Sequence, residues 1–543
     1  MQQYLLKEKQ MKKPEYFKIW INDWEWGVRI AIWLILMSAL IQFGIFGLTQ
    51  NYLMSLLGAQ PEDISFALLI TYVGILVTLP IQFRFLRYFE TRGYLLFNIL
   101  AGIALSIACI VNYNMIVFFI IRFFQGIVVC NIAGCMLTLI FSRLSSEKMQ
   151  AIGSSVFYGS ILASGILIGL AAAIVVSETD WKKIYNYLII FQVITLLIVL
   201  LIMKSKAGFK SYPLYQIDWT GATLLALGAT SFAYTMIYGS KYYWLEDGRI
   251  VISTTLSSVG LILYVLRLYL SKRPMVNLSV FGKRNFWIGL ILLSLYYGIK
   301  DSINLIYNYT ATILQWSTLQ LVYLALINLA GIVIFMTISA QLIIRKRHST
   351  KIFLLAGFTV LLAYHLYIYA ILTPDLNFND LALPVFLQGA ASGLLFVPLV
   401  IFITSSAPPN SGTTGIVVAA YTRFTASLFS VAGFYNLQLY FNQFYKEGFL
   451  KHLSELDFAA TERLNSYKLI YTQKGFTPEQ ASGLATATLN RAMSVQAQLM
   501  GNKAIFLLLA IILFCILLMV LIVPSINQTF IHWNKRMFIL KKK

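Results

Sequence analysis

Apolar segments long enough to cross a lipid bilayer recur about fourteen times along this chain. Each contains roughly 20 residues, which as a helix spans the hydrocarbon core of a membrane. Segments 64–83, 184–203 and 319–344 are examples. Hydrophobic residues make up 59% of the 543 residues, and the mean hydropathy is +0.75. The chain is therefore predicted to be an all-α, polytopic membrane protein, and a water-soluble fold is excluded.

The predicted spans fall into two blocks of six with a pair between them. They cover residues 27–54, 64–85, 93–112, 115–141, 149–177, 184–203, 218–239, 249–270, 286–312, 319–344, 351–372, 380–405, 413–440 and 504–523. The blocks occupy 27–203 and 286–523, the pair lies within 204–285, and segments 1–26 and 524–543 flank them. Two six-helix halves around a site near the middle of the membrane are typical of secondary transporters.

Basic residues concentrate at one set of helix ends. The chain has 42 Lys and Arg residues against 21 Asp and Glu residues, a formal net charge of +21. Most of these bases lie in the N-terminal segment, the even-numbered connections and the C-terminal tail, whereas connections 60–63 and 373–380 are uncharged or acidic. Because basic loops stay on the cytoplasmic side, both termini are predicted to be cytoplasmic. The positive charge then needs no nucleic-acid partner.

The connection at 441–503 is longer than the others and mixed in charge. Its sequence Thr477, Pro478, Glu479 predicts the start of a helix, because Thr is a common N-cap and Pro fits the first turn. We predict helices that project from the outer face. This projection either binds another protein or simply covers the outer mouth.

The residue pattern argues against an enzyme. Cys109, Cys130, Cys135 and Cys515 all lie inside apolar spans, which predicts packing rather than disulfides or a metal site. The sequence contains neither the nucleophile motif G-x-S-x-G nor the phosphate-binding motif G-x-x-x-x-G-K-[ST]. We expect no cofactor and no metal, and an ion gradient rather than ATP as the energy source.

Ionisable residues inside a bilayer are costly and are therefore functional candidates. Arg122, in the fourth span, either faces a central cavity or bonds to carbonyls of a facing helix. Lys300 and Asp301 lie in the ninth span, and a carboxylate that takes up and releases a proton suits proton antiport. Alternatively, Asp301 forms a static ion pair with Arg122 or another base. In a further alternative, Lys300 extends toward the membrane surface and Asp301 lines a water-filled entrance. His365 carries a side chain whose ordinary pKa range suits proton transfer, although its Tyr neighbours favour a packing role.

Uncharged polar residues in the spans must find a partner or face water. We predict that some of them line a substrate cavity between the two halves. These candidates are Gln42, Asn51, Gln125, Asn131, Asn304, Asn308 and Gln388, with Arg423 of the thirteenth span as a charged member that either gates or extends to the surface. Aromatic residues form 15% of the chain and suit apolar or cationic ligands, with ordinary packing as the alternative.

Several short motifs follow one another in a fixed order. They are Arg-Phe-Phe-Gln-Gly at 122–126, Ile-Asp-Trp-Thr-Gly at 217–221, the runs 273–281 and 284–286, the runs 386–389 and 396–399, the runs 408–409 and 421–423, and 475–483. This succession resembles the major facilitator superfamily, and within it the fourteen-helix drug:proton antiporter branch (EmrB- and QacA-like). The resemblance implies a bacterial inner-membrane pump for small molecules, driven by the proton gradient, that works with a periplasmic adaptor and an outer-membrane channel.

Three departures from the family pattern bear on coupling. The connection 83–90 lacks the usual Gly and Asp, the segment 164–169 lacks the usual Pro, and Gln42 stands where the branch usually carries Asp. We predict an exporter of amphipathic small molecules that works by alternating access and is driven by proton antiport. Export of one specific endogenous metabolite or lipid-like compound, and a transport-inactive scaffold or sensor, stay open as alternatives.

Overall fold

The computed structural model describes residues 15–143, 182–205, 217–271, 274–346, 350–408, 412–453 and 457–523, with Leu214 and scattered positions between 153 and 167. Within these residues the regular structure is helical, apart from an isolated bridge between Phe17 and Met203. Thirteen segments there are long and apolar enough to cross a membrane. The fold is thus all-helical and multi-pass, as predicted. Most of the predicted fifth span, 149–177, lies outside the described residues, as do segments 1–14 and 524–543.

The first part of the chain forms five described membrane helices. They are α1 (Glu25–Leu57), α2 (Pro61–Tyr88), α3 (Thr91–Val111), α4 (Met115–Arg143) and α5 (Lys182–Ile202). Helix α2 begins at a capping box, in which Gln60 donates its backbone N–H to Asp63 Oδ2 at 2.9 Å. A buried apolar cluster joins α1, α3, α4 and α5.

A pair of helices follows, α6 (Trp219–Tyr238) and α7 (Gly248–Leu270). Asp218 caps α6 by accepting from the Gly221 N–H at 3.0 Å, and Arg267 of α7 donates to it at 3.3 Å. A Cβ on Gly260 would lie 3.1 Å from the Gly228 Cα, so the two backbones cross closely. The predicted inserted pair is therefore one tightly packed unit.

The described residues of the last part of the chain form eight α-helices. They are α8 (Arg284–Lys300), α9 (Ile303–Thr312), α10 (Thr318–Lys346), α11 (Thr350–Ile371), α12 (Phe378–Ser406), α13 (Gly412–Leu450), α14 (Phe458–Gln473) and α15 (Pro478–Ile522). The prediction of one continuous helix over 286–312 was wrong, because the helix breaks at Asp301 and Ser302. The predicted spans 413–440 and 504–523 were too short, since α13 and α15 continue beyond the apolar segments.

These continuations, with α14, build the predicted outer projection. Helix α15 has 45 residues, roughly 67 Å at 1.5 Å per residue, more than twice the thickness of the hydrocarbon core. Its predicted start is confirmed: Thr477 is the N-cap, and Gln480 completes a capping box. Helix α14 packs on α15, with the Tyr471 hydroxyl 2.7 Å from Thr488 Oγ1. The role of the projection stays a prediction.

Two helix crossings, one in each part of the chain, bring backbones into contact through glycine. A Cβ on Gly126 of α4 would lie 2.3 Å from the Thr71 carbonyl oxygen of α2, and a Cβ on Gly389 of α12 would lie 2.1 Å from the Asn328 carbonyl oxygen of α10. Both glycines directly follow a glutamine in the sequence. The same contact is therefore built twice, as expected for related halves.

Candidate functional site

A cavity of about 340 Å³ lies between α1, α2 and α4 on one side and α8, α12 and α13 on the other. It extends to Phe83, beside Arg84 and Arg87 in the last two turns of α2, and to Thr404 near the end of α12. Its polar and charged lining includes Tyr72, Gln82, Tyr297, Lys300, Thr404, Arg423 and Ser427. The cavity therefore occupies the half of the molecule adjacent to the basic helix ends.

Aromatic rings form much of the cavity wall. Phe43 and Tyr72 have centroids 5.3 Å apart, and Tyr72 reaches Phe424 of α13 across the cavity boundary at 5.5 Å. Tyr297 packs edge-on to Phe396 at 6.0 Å. A concave, mostly apolar wall with a few polar groups is suited to an amphipathic organic molecule.

Two basic side chains line this cavity beside the rings. Lys300 Nζ lies 4.9 Å from the Tyr297 ring centroid and donates to Asp301 Oδ1. The Arg423 guanidinium lies 4.6 Å from the Phe424 ring centroid. The side chains of Lys300 and Asp301 are each 16% exposed, so their ion pair is neither sealed nor fully solvated. The partner of Asp301 is therefore its own neighbour, and not Arg122.

The backbone between α8 and α9 is interrupted beside this ion pair. The Ser302 N–H donates to the Ile299 carbonyl and the Asn304 N–H to the Asp301 carbonyl, both at 3.0 Å. In a continuous α-helix these two donors would instead bond the carbonyls of Gly298 and Lys300. The break therefore leaves those two carbonyls needing other donors inside the membrane.

Side chains of α12 and α13 supply these donors. Gln388 Nε2 donates to the Lys300 carbonyl at 2.9 Å, and the Ser430 hydroxyl donates to the Gly298 carbonyl at 3.0 Å. Gln388 is itself held by Asn328 of α10, whose Nδ2 donates to Gln388 Oε1 at 2.6 Å. Gln388 thus supports the helix break rather than the described cavity wall.

We expect Gln388→Leu to destabilise the folded protein by about 1–3 kcal/mol, because it deprives the Lys300 carbonyl of this donor and the Asn328 amide of one of its two acceptors in a buried site. The thermal midpoint of the detergent-solubilised protein should fall by several degrees. Gln341→Leu, at an exposed glutamine of α10, is the matched control and should leave the midpoint unchanged. Equal midpoints for the two variants would contradict the assigned role.

His365 lies next to the break but apart from the described cavity lining. It is fully buried, with Nδ1 2.8 Å from the Leu361 carbonyl and Nε2 3.1 Å from the Ser302 hydroxyl. Since a carbonyl can only accept, Nδ1 is assigned the proton, and the Nε2 of a neutral ring accepts from Ser302. Phe506 packs against the ring at 5.5 Å. This position matches the packing alternative.

Arg122 is 1% exposed and belongs to a buried polar cluster between α1 and α4. Its Nη1 donates to Gln125 Oε1 at 2.8 Å and to the Gln42 carbonyl at 3.3 Å. The Gln42 side chain packs against α3, where a Cβ on Gly102 would lie 2.3 Å from its Nε2. These contacts fit the alternative in which Arg122 bonds to a carbonyl on a facing helix, and its role in transport stays a prediction.

The remaining candidates lie elsewhere. Asn131 Nδ2 donates to Asn98 Oδ1 at 2.9 Å and so joins α4 to α3. Asn304 and Asn308 are exposed on α9. The side chain of Asn51 is outside the described part of the protein. Of the predicted site residues whose side chains are described, the structure brings together Lys300, Asp301, Arg423 and Gln388, and it places the others in packing contacts or on the surface.

Sequence reasoning missed several residues of the site. They are Tyr72, Gln82, Tyr297, Asn328, Thr404, Ser427 and Ser430. Tyr297 precedes Lys300 by three residues, so helical spacing alone places both on one face. The buried amide of Asn328 was also recognisable as a polar group inside an apolar span. The small hydroxyls of α12 and α13 carry no comparable signal.

Comparison with known proteins adds to this geometry. The sequence model of the Major Facilitator Superfamily matches residues 32–434. The chain is 24% identical to the Multidrug export protein EmrB of Escherichia coli over 431 residues, which cover 76% of this chain and 79% of that protein. It is 24% identical to the Probable multidrug resistance protein EmrY of Escherichia coli over 393 residues, covering 71% and 74%.

Solved structures show the same architecture. The crystal structure of peptide transporter POT in complex with sulfate superimposes with a TM-score of 0.57 at 14% identity, covering 92% of this chain and 95% of that chain. At this identity the likeness concerns the fold.

Proposed function

The chain belongs to the major facilitator superfamily, and from that premise we propose that it is a secondary active transporter that exports amphipathic small molecules. The observation that carries this proposal is the cavity between the two parts of the chain. Aromatic rings and the charged groups of Lys300 and Arg423 meet there on a mostly apolar wall. Such a wall binds the apolar body of a ligand, and its few polar groups orient the polar end.

Export proceeds by alternating access in this proposal. The cavity lies toward the basic helix ends, which we propose to be the cytoplasmic face of a bacterial inner membrane. Substrate enters from that side, the two halves rock against each other, and the cavity then opens to the outer side. Close glycine crossings within each half keep its helices together as it moves.

Asp301 couples this cycle to protons in the same proposal. While Asp301 is ionised it neutralises Lys300, and the cavity accepts a neutral or cationic amphipath. Protonation of Asp301 leaves the Lys300 charge uncompensated and so disfavours a cationic ligand in a site of low dielectric constant. By linkage, the bound ligand disfavours the proton to the same degree, which is the exclusion that antiport requires.

Transport is tested in cells that lack their major pumps. With this protein expressed, accumulation of ethidium should fall several-fold, because the dye is an amphipathic cation of the class proposed as substrate. Collapse of the proton gradient should restore accumulation to the level of cells carrying an empty vector. Equal accumulation with and without the protein, across a panel of amphipathic dyes and drugs, would contradict multidrug export.

A second candidate is export of one defined endogenous compound. A cavity of about 340 Å³ is near the lower limit of ordinary ligand sites, which favours a narrow substrate range. The same panel distinguishes the candidates, because a specific exporter leaves the dyes and drugs unaffected.

The outer projection of α13, α14 and α15 is proposed to dock a periplasmic adaptor protein that leads to an outer-membrane channel. Its exposed apolar side chains support this proposal, since Phe458 is 80% exposed and Leu469 is 63% exposed. Large apolar residues on a helical surface that stands outside the membrane are typical of protein contacts.

A further inference from the structure

Helix α2 is held at its outer end by two other parts of the protein. Glu62 and Asp63, both partly buried, lie in its first turn. The Tyr435 hydroxyl of α13 donates to Glu62 Oε1 at 2.8 Å. The Tyr238 hydroxyl, at the last residue of α6, donates to Asp63 Oδ1. One phenol thus comes from the inserted pair and the other from the last part of the chain.

An apolar seal lies one to two turns below these bonds. Phe66 of α2 packs edge-on to the Tyr238 ring at 5.6 Å. The buried cluster around it draws on α2, α6 and α13 together, through Phe66, Leu69, Ile70, Ala233, Ile237 and Leu428. The three helices therefore meet without the described cavity extending between them at this level.

The inserted pair is also tied directly to α13. Asn436 Nδ2 donates to the Met236 carbonyl of α6 at 3.0 Å, and Phe232 packs against Phe429 at 5.2 Å. Tyr435 and Asn436 are neighbours in the chain, so α13 holds α2 with one residue and α6 with the next.

The phenol bonds and the apolar seal lie at different positions along α2 and α13 from the residues that line the cavity. On α2 the phenol-bonded residues are at 62–63, the seal is at 66–70 and the cavity lining is at 72–83. On α13 the order is reversed, with cavity lining at 416–427, seal at 428–432 and bonds at 435–436. The helices therefore touch at the outer end and part toward the basic end.

We propose that the inserted helix pair is a working part of the outer gate, in which Tyr238 of α6 and Tyr435 of α13 together hold the first turn of α2 closed. The inference rests on the alternating access proposed above and assigns a role to helices that line no part of the described cavity. Phenol-to-carboxylate bonds suit a gate, because they are charge-assisted yet can be exchanged for bonds to water when the outer side opens.

The gate is tested by access to a cysteine in the cavity. Ala420, which lines the cavity on α13, is changed to Cys in a variant whose four native cysteines are replaced. A membrane-impermeant maleimide is then applied from the outer or the basic side, without substrate. In Tyr238→Phe with Tyr435→Phe, we expect outer-side labelling at least fivefold faster than in the parent and basic-side labelling slower, because the two-state equilibrium shifts.

The single variants decide whether the inserted pair takes part. Tyr238→Phe alone should accelerate outer-side labelling, and so should Tyr435→Phe alone. Tyr234→Phe is the matched control, since its ring stacks on Tyr238 with centroids 4.6 Å apart and Phe retains that contact. Acceleration by Tyr435→Phe but not by Tyr238→Phe would overturn the role of the pair, and unchanged labelling in the double variant would overturn the gate itself.

A second pair of variants and a comparison with dye export make the result decisive. If the phenol variants fold poorly, Glu62→Gln with Asp63→Asn weakens the same contacts from the α2 side and should give the same acceleration. Labelling needs no transported compound, so the two proposals can fail separately. A protein that exports no dye but shows the expected shift in labelling would contradict the proposed export and support the gate. Normal export with no labelling shift in any variant would support the export and contradict the gate.

Discussion

Asp301→Asn is expected to lower proton-driven efflux at least tenfold while the amount of folded protein stays near that of the parent. Asparagine keeps the size of the side chain and can still accept a hydrogen bond from Lys300, but it cannot take up or release a proton. The charge beside the Tyr297 ring then no longer changes during the cycle. Without that change, substrate and proton cease to exclude each other.

Initial rates of dye efflux from loaded, re-energised cells measure this effect. Exchange of an uncharged dye down its own gradient should persist, because the cavity and the helix break are retained, whereas the uncompensated Lys300 charge should weaken binding of a cationic dye. Asp375→Asn, at an exposed acid between α11 and α12, is the matched control and should leave efflux unchanged. The double change Lys300→Met with Asp301→Asn removes both charges and shows whether a lone buried cation, rather than lost coupling, causes the defect. Full efflux in Asp301→Asn would exclude this carboxyl as the coupling group.

Gly389→Leu is expected to remove most of the folded protein from the membrane, more than tenfold by fluorescence-detected chromatography. A Cβ at this position would lie 2.1 Å from the Asn328 carbonyl oxygen, and a backbone atom cannot rotate away as a side chain can. Overpacking typically costs about 1–3 kcal/mol and more where the backbone itself must move. The crossing of α10 and α12 would have to open, which also displaces Gln388 from the Lys300 carbonyl.

The equivalent change in the first part of the chain should behave alike. A Cβ at Gly126 would lie 2.3 Å from the Thr71 carbonyl oxygen, so Gly126→Leu is expected to cause a similar loss of folded protein. Gly433→Leu is the control, because nothing lies within 4 Å of a Cβ there. Equal yields of the Gly389 and Gly433 variants would mean that the close crossing is not needed for folding.

Apolar length predicted the membrane helices of the described residues well, because burial in lipid acts on each segment separately. The orientation inferred from the basic residues stays a prediction. The break in α8 and α9 was not predictable in this way. It depends on donors from Gln388 and Ser430, which lie 88 and 132 residues from the carbonyls they bond. The start of α15 at Thr477 was predicted, but its unbroken continuation into the membrane span was not, because the outer part is polar and is stabilised by a cap and by packing on α14.

The site was only partly predictable for a related physical reason. Polar residues in a span reveal that a partner is needed, and they do not reveal which partner satisfies them. Arg122 and Asn131 find theirs on neighbouring helices and so leave the cavity, whereas Lys300 and Arg423 lie beside aromatic rings in its wall. The division of the chain into blocks at 27–203 and 286–523 stays a prediction.

Helix α15 runs from the tip of the projection into the packed interior as one rod, with Phe506 and Leu513 fully buried near its inner half. Its outer 26 residues, 478–503, extend roughly 39 Å at 1.5 Å per residue. A tilt of about 10° in the membrane would swing the tip by about 7 Å over that lever arm. A protein bound at the tip is therefore coupled to the proposed rocking of the bundle. A partner that held the tip rigidly would slow the transport cycle.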